Sequence, residues 1–201
     1  MDEPTVDRKG VAPIKPELDE VNALNSRDQF ASVLAKLGKL GISGVFRFSS
    51  QPDFGDSSMN IAVIDQGGLS LPDRDYYIKA DAASVSIRAK YEQHLTNMFN
   101  LLAGAMNTTW DSKAKAAAIL KFEMALAQAS MDRAARRNPD TRNHPMTVKD
   151  LPGLTPDFQW NVFFSVKRPR LFRKSTSGTQ SSSNSSQAYW ARPASTISKH
   201  I

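Results

Sequence analysis

The sequence predicts a mainly α fold carrying one small β-hairpin, and three observations predict it. Apolar residues recur at helical spacing through two long stretches, around Phe30–Leu40 and from Ser84 to about Arg137. Only between Ile42 and Gln66 does the period change to two. Between these regimes stands Gly67 to Lys79, with a glycine pair, a proline and two adjacent tyrosines, where an extended half gives way to a helical one.

In chain order, Met1–Pro13 is polar and reads as a loop punctuated by Pro4 and Pro13. Ile14 to Leu24 reads as a helix, with Pro16 near its start and Glu17, Asp19 and Glu20 suited to its positive end. Leu18, Val21 and Leu24 give it one apolar face, expected to pack in the core. Asn25-Ser26 caps the next helix, Arg27 to Leu40, whose stripe is Phe30, Val33, Leu34, Leu37 and Leu40. Val45 to Ser50 alternates, Gln51 to Ser58 is turn-like, and Met59 to Asp65 is an apolar run. Two such runs joined by a polar loop predict a hairpin that must pack on helices.

Gly67-Gly68 then breaks the backbone, because glycine alone enters left-handed conformations cheaply. Leu69 and Leu71 flank Ser70 as in a short half-buried extended segment, and Pro72, Asp73 and Asp75 suit the start of a helix. Ser84 to Ala103 is helical, and Asn107-Thr108-Thr109 in the next loop has the form of a glycosylation sequon. Asp111 caps a long alanine-rich helix that runs to about Arg137 and stops at Asn138-Pro139. Arg133, Arg136 and Arg137 read as an anion site or, preferably, as cations complementing the negative helix end.

Composition narrows the function classes. Across 201 residues 40% are hydrophobic, and with a mean hydropathy of −0.42 the chain reads as soluble. No run approaches the roughly 18 apolar residues of a membrane span, and Met1-Asp2-Glu3 does not begin a signal peptide. The lack of cysteine excludes disulfides, a thiolate nucleophile and thiolate metal ligands. The net charge of +6 is misleading. From Met1 to Ser165, 19 Lys and Arg meet 20 Asp and Glu, whereas Val166 to Ile201 holds seven bases, nine serines and no acid. Nucleic acid is therefore not an expected partner, although a basic patch at Lys167–Lys174 would bind it in a salt-dependent way.

The stretch GGLSLPDRDYYIK resembles the LGLP-R-D/E-YY segment of the neprilysin/endothelin-converting-enzyme family of zinc metallopeptidases. Further segments follow that family's order: GVFRFSSQPDF with MNIAVIDQGGL, Glu123, Leu126 and Ala127, ASMDRAARRNP, MTVKDL and TPDFQW. Where the family has an aromatic before Met146-Thr147, this chain has Asn143-His144-Pro145. The resemblance covers residues 1–165 and implies part of a helical N-terminal lobe that encloses the substrate cavity. Family members are several times longer, and Met1-Asp2-Glu3 is similar to a segment well inside them.

The resemblance implies zinc-dependent cleavage of peptides by the intact enzyme, with a C-terminal catalytic part as partner and an exported or membrane-anchored location. This chain itself shows no catalytic, cofactor-binding or metal-ligating residue. Its histidines, His94, His144 and His200, form no His-Glu-x-x-His, the spacing that sets two ligands and a general base on one helical face. Lone acids such as Asp65 and Asp75 read as caps and surface charges. The alternative is a stand-alone helical module that binds a peptide or protein without catalysis. Residues 166–201 read as a disordered basic, serine-rich tail, or as the product of a frameshift near Val166. In an adjacent frame, with permitted codons, the tail spells A-P-A-x-F-S-E-V-N-V-G-N-P-E-F-F-K-Q-L and then L-L-G-E-T-S-L-D-D-L-K-T-Y, which resembles the family's continuation.

Overall fold

Two compact units divide the chain, one from residues 1–24 and 69–128, the other from 25–68 and 129–201. A computed structural model describes residues 2–53, 55–167 and, as backbone, 187–190. The mainly α fold with its antiparallel hairpin is the architecture found.

The first unit is helical: α1 (Glu3–Lys9), α2 (Lys15–Asn22), α4 (Asp75–Ile78), α5 (Ala82–Ala105) and α6 (Ser112–Ala129) without its last residue. The N-terminal stretch is thus not a loop. The Asp2 carboxylate accepts from the Thr5 N–H at 3.3 Å, and Pro4 sits in the first turn, where its missing N–H leaves nothing unsatisfied. The apolar face read in α2 is not core either: none of its residues is buried and Val21 is exposed. Asp81 and Asp111 cap α5 and α6, accepting from Ser84 N–H at 2.9 Å and Ala114 N–H at 2.9 Å. The Arg88 guanidinium donates to the carbonyls of Tyr76 and Lys79 at 2.7 and 2.8 Å and ties the end of α4 to α5. Trp110 donates its ring N–H to the Phe99 carbonyl at 3.0 Å, which fixes the turn into α6.

The second unit is built on α3 (Arg27–Lys39) and the hairpin of β1 (Phe46–Pro52) and β2 (Asn60–Gln66). Their register runs from Phe46 opposite Gln66 to Pro52 opposite Asn60. The hairpin belongs to a larger sheet of order β1-β2-β4-β3, with β3 at His144–Thr147 and β4 at Gln187–Trp190. β4 runs parallel to β2 and antiparallel to β3. Short helices α7 (Arg133–Arg137), α8 (Pro139–Arg142) and α9 (Leu151–Leu154) lead to α10 (Trp160–Lys167), which packs on α3. α10 therefore includes Val166 and Lys167; the rest of the expected tail, other than β4, lies outside the described residues.

Aromatic rings carry this core. Phe163, 2% exposed, meets the rings of Phe46, Phe48, Phe158, Trp160 and Phe164 at centroid distances of 5.3 to 5.9 Å. Ala31, Leu34, Ala35, Ile64 and Leu151 complete the buried cluster. Alternation in β1 turns Phe46 and Phe48 inward and Arg47 and Ser49 outward. Leu40, the last residue of the apolar stripe read for α3, lies exposed beyond the helix.

Two glycines end the hairpin for different reasons. A Cβ on Gly67 would lie 3.0 Å from the Phe46 carbonyl carbon, so the backbones need that gap. Gly68 has φ +79°, in the left-handed region. The Leu69–Leu71 segment that follows is a bend, not a strand.

Phe163→Ala is expected to destabilise the second unit by about 3–5 kcal/mol, because a large ring leaves a cavity among other rings. Urea unfolding followed by near-ultraviolet circular dichroism measures it. Gly67→Ala is expected to destabilise the same unit even though alanine is the better residue for most backbones.

Candidate functional site

Among the described residues of the first unit, Glu123 on α6 is a buried carboxylate, 5% exposed. Three hydroxyl groups hold its carboxylate. Ser70 Oγ donates to Oε1 at 2.7 Å, Tyr91 OH to the same oxygen at 3.1 Å, and Tyr77 OH to Oε2 at 2.7 Å. The Tyr77 oxygen in turn accepts the Leu71 N–H at 2.8 Å. One carboxylate thus joins the Ser70–Leu71 bend, α4, α5 and α6. Burial raises the Tyr77 hydroxyl well above its ordinary value; the Leu71 N–H opposes that rise, and the hydrogen bond to Glu123 adds to it. Burial raises Tyr91 too. Tyr77, 1% exposed, is the second tyrosine of the Asp-Tyr-Tyr stretch, which explains the pair: Tyr76 supplies a carbonyl to Arg88 and Tyr77 a hydroxyl to Glu123.

Chemically this cluster is a clamp. Its hydroxyls all donate to one carboxylate, so none is poised as a nucleophile, and a glutamate this buried does not reach a substrate. The motif that contains Glu123 does not by itself disclose this role. An acid three residues before an apolar Leu-Ala pair in an alanine-rich helix was the available signal.

In the second unit, Asp65 and Arg136 pair at 2.8 Å, with side chains 16% and 36% exposed. Asp65 is therefore neither a cap nor a free surface charge. Next to it the Gln66 side chain grips Met131 twice, accepting its N–H at 2.9 Å and donating to its carbonyl at 3.3 Å. That grip coincides with a correction: α6 ends at Ala129, and the arginines belong to the separate α7, started by Asp132 accepting from Ala135 N–H at 2.8 Å. Arg136 faces Asp65 rather than complementing the end of a long helix. Asp75 opens α4 and pairs with exposed Lys79 at 2.9 Å, as a surface charge does.

The histidines do not converge on a site. His94 is exposed on α5, His144 in β3 sits with Nε2 3.0 Å from the Thr141 carbonyl, and His200 lies outside the described residues. Among the described residues no group of three or more His, Asp or Glu is placed to hold a metal ion, so the side chains present do not fit zinc. Among the same residues no helix is long and apolar enough to cross a membrane. Met146-Thr147 leads into a capping box, with Thr147 N–H and Oγ both donating to Asp150 at 2.9 and 2.7 Å. The TPDFQW stretch places Trp160 in the core, its ring N–H donating to Thr155 at 2.7 Å.

Comparison with known proteins gives a consistent answer. A family model described as Peptidase family M13, N-terminal, matches residues 1–198. Neprilysin-3 of Drosophila melanogaster is 30% identical over 138 residues, covering 69% of this chain and 17% of that protein. An endothelin-converting enzyme homolog of Locusta migratoria is 25% identical over 178 residues, covering 85% of this chain and 24% of that protein. Among solved structures, the Mycobacterium tuberculosis zinc metalloprotease Zmp1 in its open state matches with a TM-score of 0.75 at 28% identity, over 82% of this chain and 25% of that one. The chain thus spans about a quarter or less of the proteins it matches.

Above a pH of about 10 the clamp is expected to weaken. Below the ordinary tyrosine value of 10.0, Tyr77 is protonated folded or unfolded, and its contribution is constant. Above it the unfolded chain releases the proton and the folded chain holds it, so stability falls as pH rises. Tyr77→Phe is expected to flatten that alkaline fall and to lose about 1–3 kcal/mol at neutral pH, through the unpaired Leu71 N–H and Glu123 oxygen. Urea unfolding between pH 8 and 11 tests both effects.

Proposed function

Because this chain belongs to peptidase family M13, over that family's N-terminal region, we propose that it forms part of the lobe enclosing the substrate cavity of a neprilysin-like zinc metalloendopeptidase. The observation that carries the reading is the family match over nearly the whole chain, joined to a helical unit whose buried Glu123 is spent on hydrogen bonds to its own Ser70, Tyr77 and Tyr91 hydroxyls. The lobe's task is to bound the space in which a peptide is cut. In the intact enzyme zinc would supply Lewis-acid chemistry for peptide cleavage. Its ligands would belong to the catalytic part of the same polypeptide, which we propose as the partner of this region.

Exposed apolar side chains support that partnership. In the first unit Val6, Ile14, Met98 and Leu101 are more than half exposed, Leu101 at 69%. A larger protein covers surfaces of this kind, and on their own they favour aggregation. The stand-alone interaction module is not favoured, since a peptidase family model matches residues 1–198 and a solved zinc metalloprotease matches 83% of the chain.

The purified 201-residue chain is expected to hold far less than one zinc per molecule and to cut no peptide in a mixed-sequence library. Metal analysis by mass spectrometry and a cleavage assay with and without chelator check this. Stoichiometric zinc with chelator-sensitive cleavage would contradict it.

A further inference from the structure

We infer that the gene's reading frame slips at the codons around Val166, and that the protein read through without the slip supplies the strand between β2 and β3 from a segment close behind α10. The inference rests on membership of family M13 for what the continuation should be, and on three observations of this chain.

The first is composition: acids and bases balance up to Ser165, after which seven bases, nine serines and no acid follow. The second is position. The fold keeps its packing to the end of α10, where Val162, Phe164 and Val166 still lie against the core. The family match covers residues 1–198, so the family's own sequence extends past α10. The third is the alternative text. Read one base out of step, with codons the residues permit, the tail from Lys167 spells A-P-A-x-F-S-E-V-N-V-G-N-P-E-F-F-K-Q-L. That text restores acids, removes the serine run and places two valines at strand spacing before a Gly-Asn-Pro turn.

The sheet has a place for such a strand. β2 and β3 do not pair with each other. A strand lies between them, parallel to β2 over Ala62–Ile64 and antiparallel to β3 over His144–Thr147. Ala62 and Ile64 are buried and Met146 packs on the core, so the strand in that place needs apolar residues alternating toward one face. In the present chain Gln187–Trp190 takes the position, after the connection 168–186. The shifted text offers Val-x-Val after a connection less than half as long, and short connections are the rule in compact folds.

Sequencing the locus through and beyond the Val166 codon is the test. The expected result is an adjacent frame open through E-V-N-V-G-N-P and onward; stop codons in that frame within the tail, or unrelated text, overturn the slip. Hydrogen exchange tests the strand, comparing the present chain with the read-through protein. The amides of Ala62–Ile64 and Met146 are expected to exchange at least about tenfold more slowly in the read-through protein; equal exchange overturns the placement. A read-through protein that shields β2 and cuts no peptide would leave this inference standing and remove the proposed function instead.

Discussion

A buried carboxylate is the constraint on which the helical unit depends. Taking an ionised glutamate out of water costs several kcal/mol unless hydrogen bonds replace its hydration. Glu123 receives three, from Ser70, Tyr77 and Tyr91. Hydrogen bonds to a charged acceptor are about twice as strong as neutral ones, so the charge that penalises a loose arrangement rewards the closed one. The donors come from a bend and two helices that share no continuous periodicity, and Tyr77 passes the constraint on to the Leu71 backbone. The unit has few large buried apolar residues besides Tyr77 and Leu126, so this polar clamp specifies an arrangement that apolar packing alone would leave open.

The second unit solves the same problem differently. Its rings interlock across the hairpin, α3 and α10, and its polar contacts lie at the margin, where Gln66 and Asp65 hold the turn after α6. The hairpin becomes stable by covering those rings, since two strands alone would not persist. Among the described residues neither unit holds a group of three or more His, Asp or Glu placed to bind a metal ion.

Local pattern revealed what local pattern controls. Alternation located β1 and an apolar run located β2, each to within two residues, the cap at Asp111 follows from a side chain three residues from its partner, and Gly68 adopts the left-handed turn its type favours. What stayed hidden depends on distant partners. Alanine propensity carries a helix reading past Ala129, whereas Gln66, 65 residues away in sequence, grips Met131 just beyond the helix end. Asp65 looked like a surface charge because Arg136 stands 71 residues off. The role of Glu123 was illegible for the same reason, its donors lying 32 to 53 residues earlier. The first helix hides behind a local ambiguity: Pro4 punctuates a loop as readily as it opens a helix, and here it stands two positions after the Asp2 cap, in the first turn.

The central claim is that the Glu123 carboxylate organises the helical unit, and backbone hydrogen exchange at Leu71 tests it most directly. In the full chain the Leu71 amide is bonded to Tyr77, whose hydroxyl is held by Glu123. Glu123→Ala is predicted to speed exchange at Leu71 by at least about tenfold while leaving the amides of Leu34 and Ala35, in the other unit's core, unchanged. Unaltered protection at Leu71 in that variant would contradict the account.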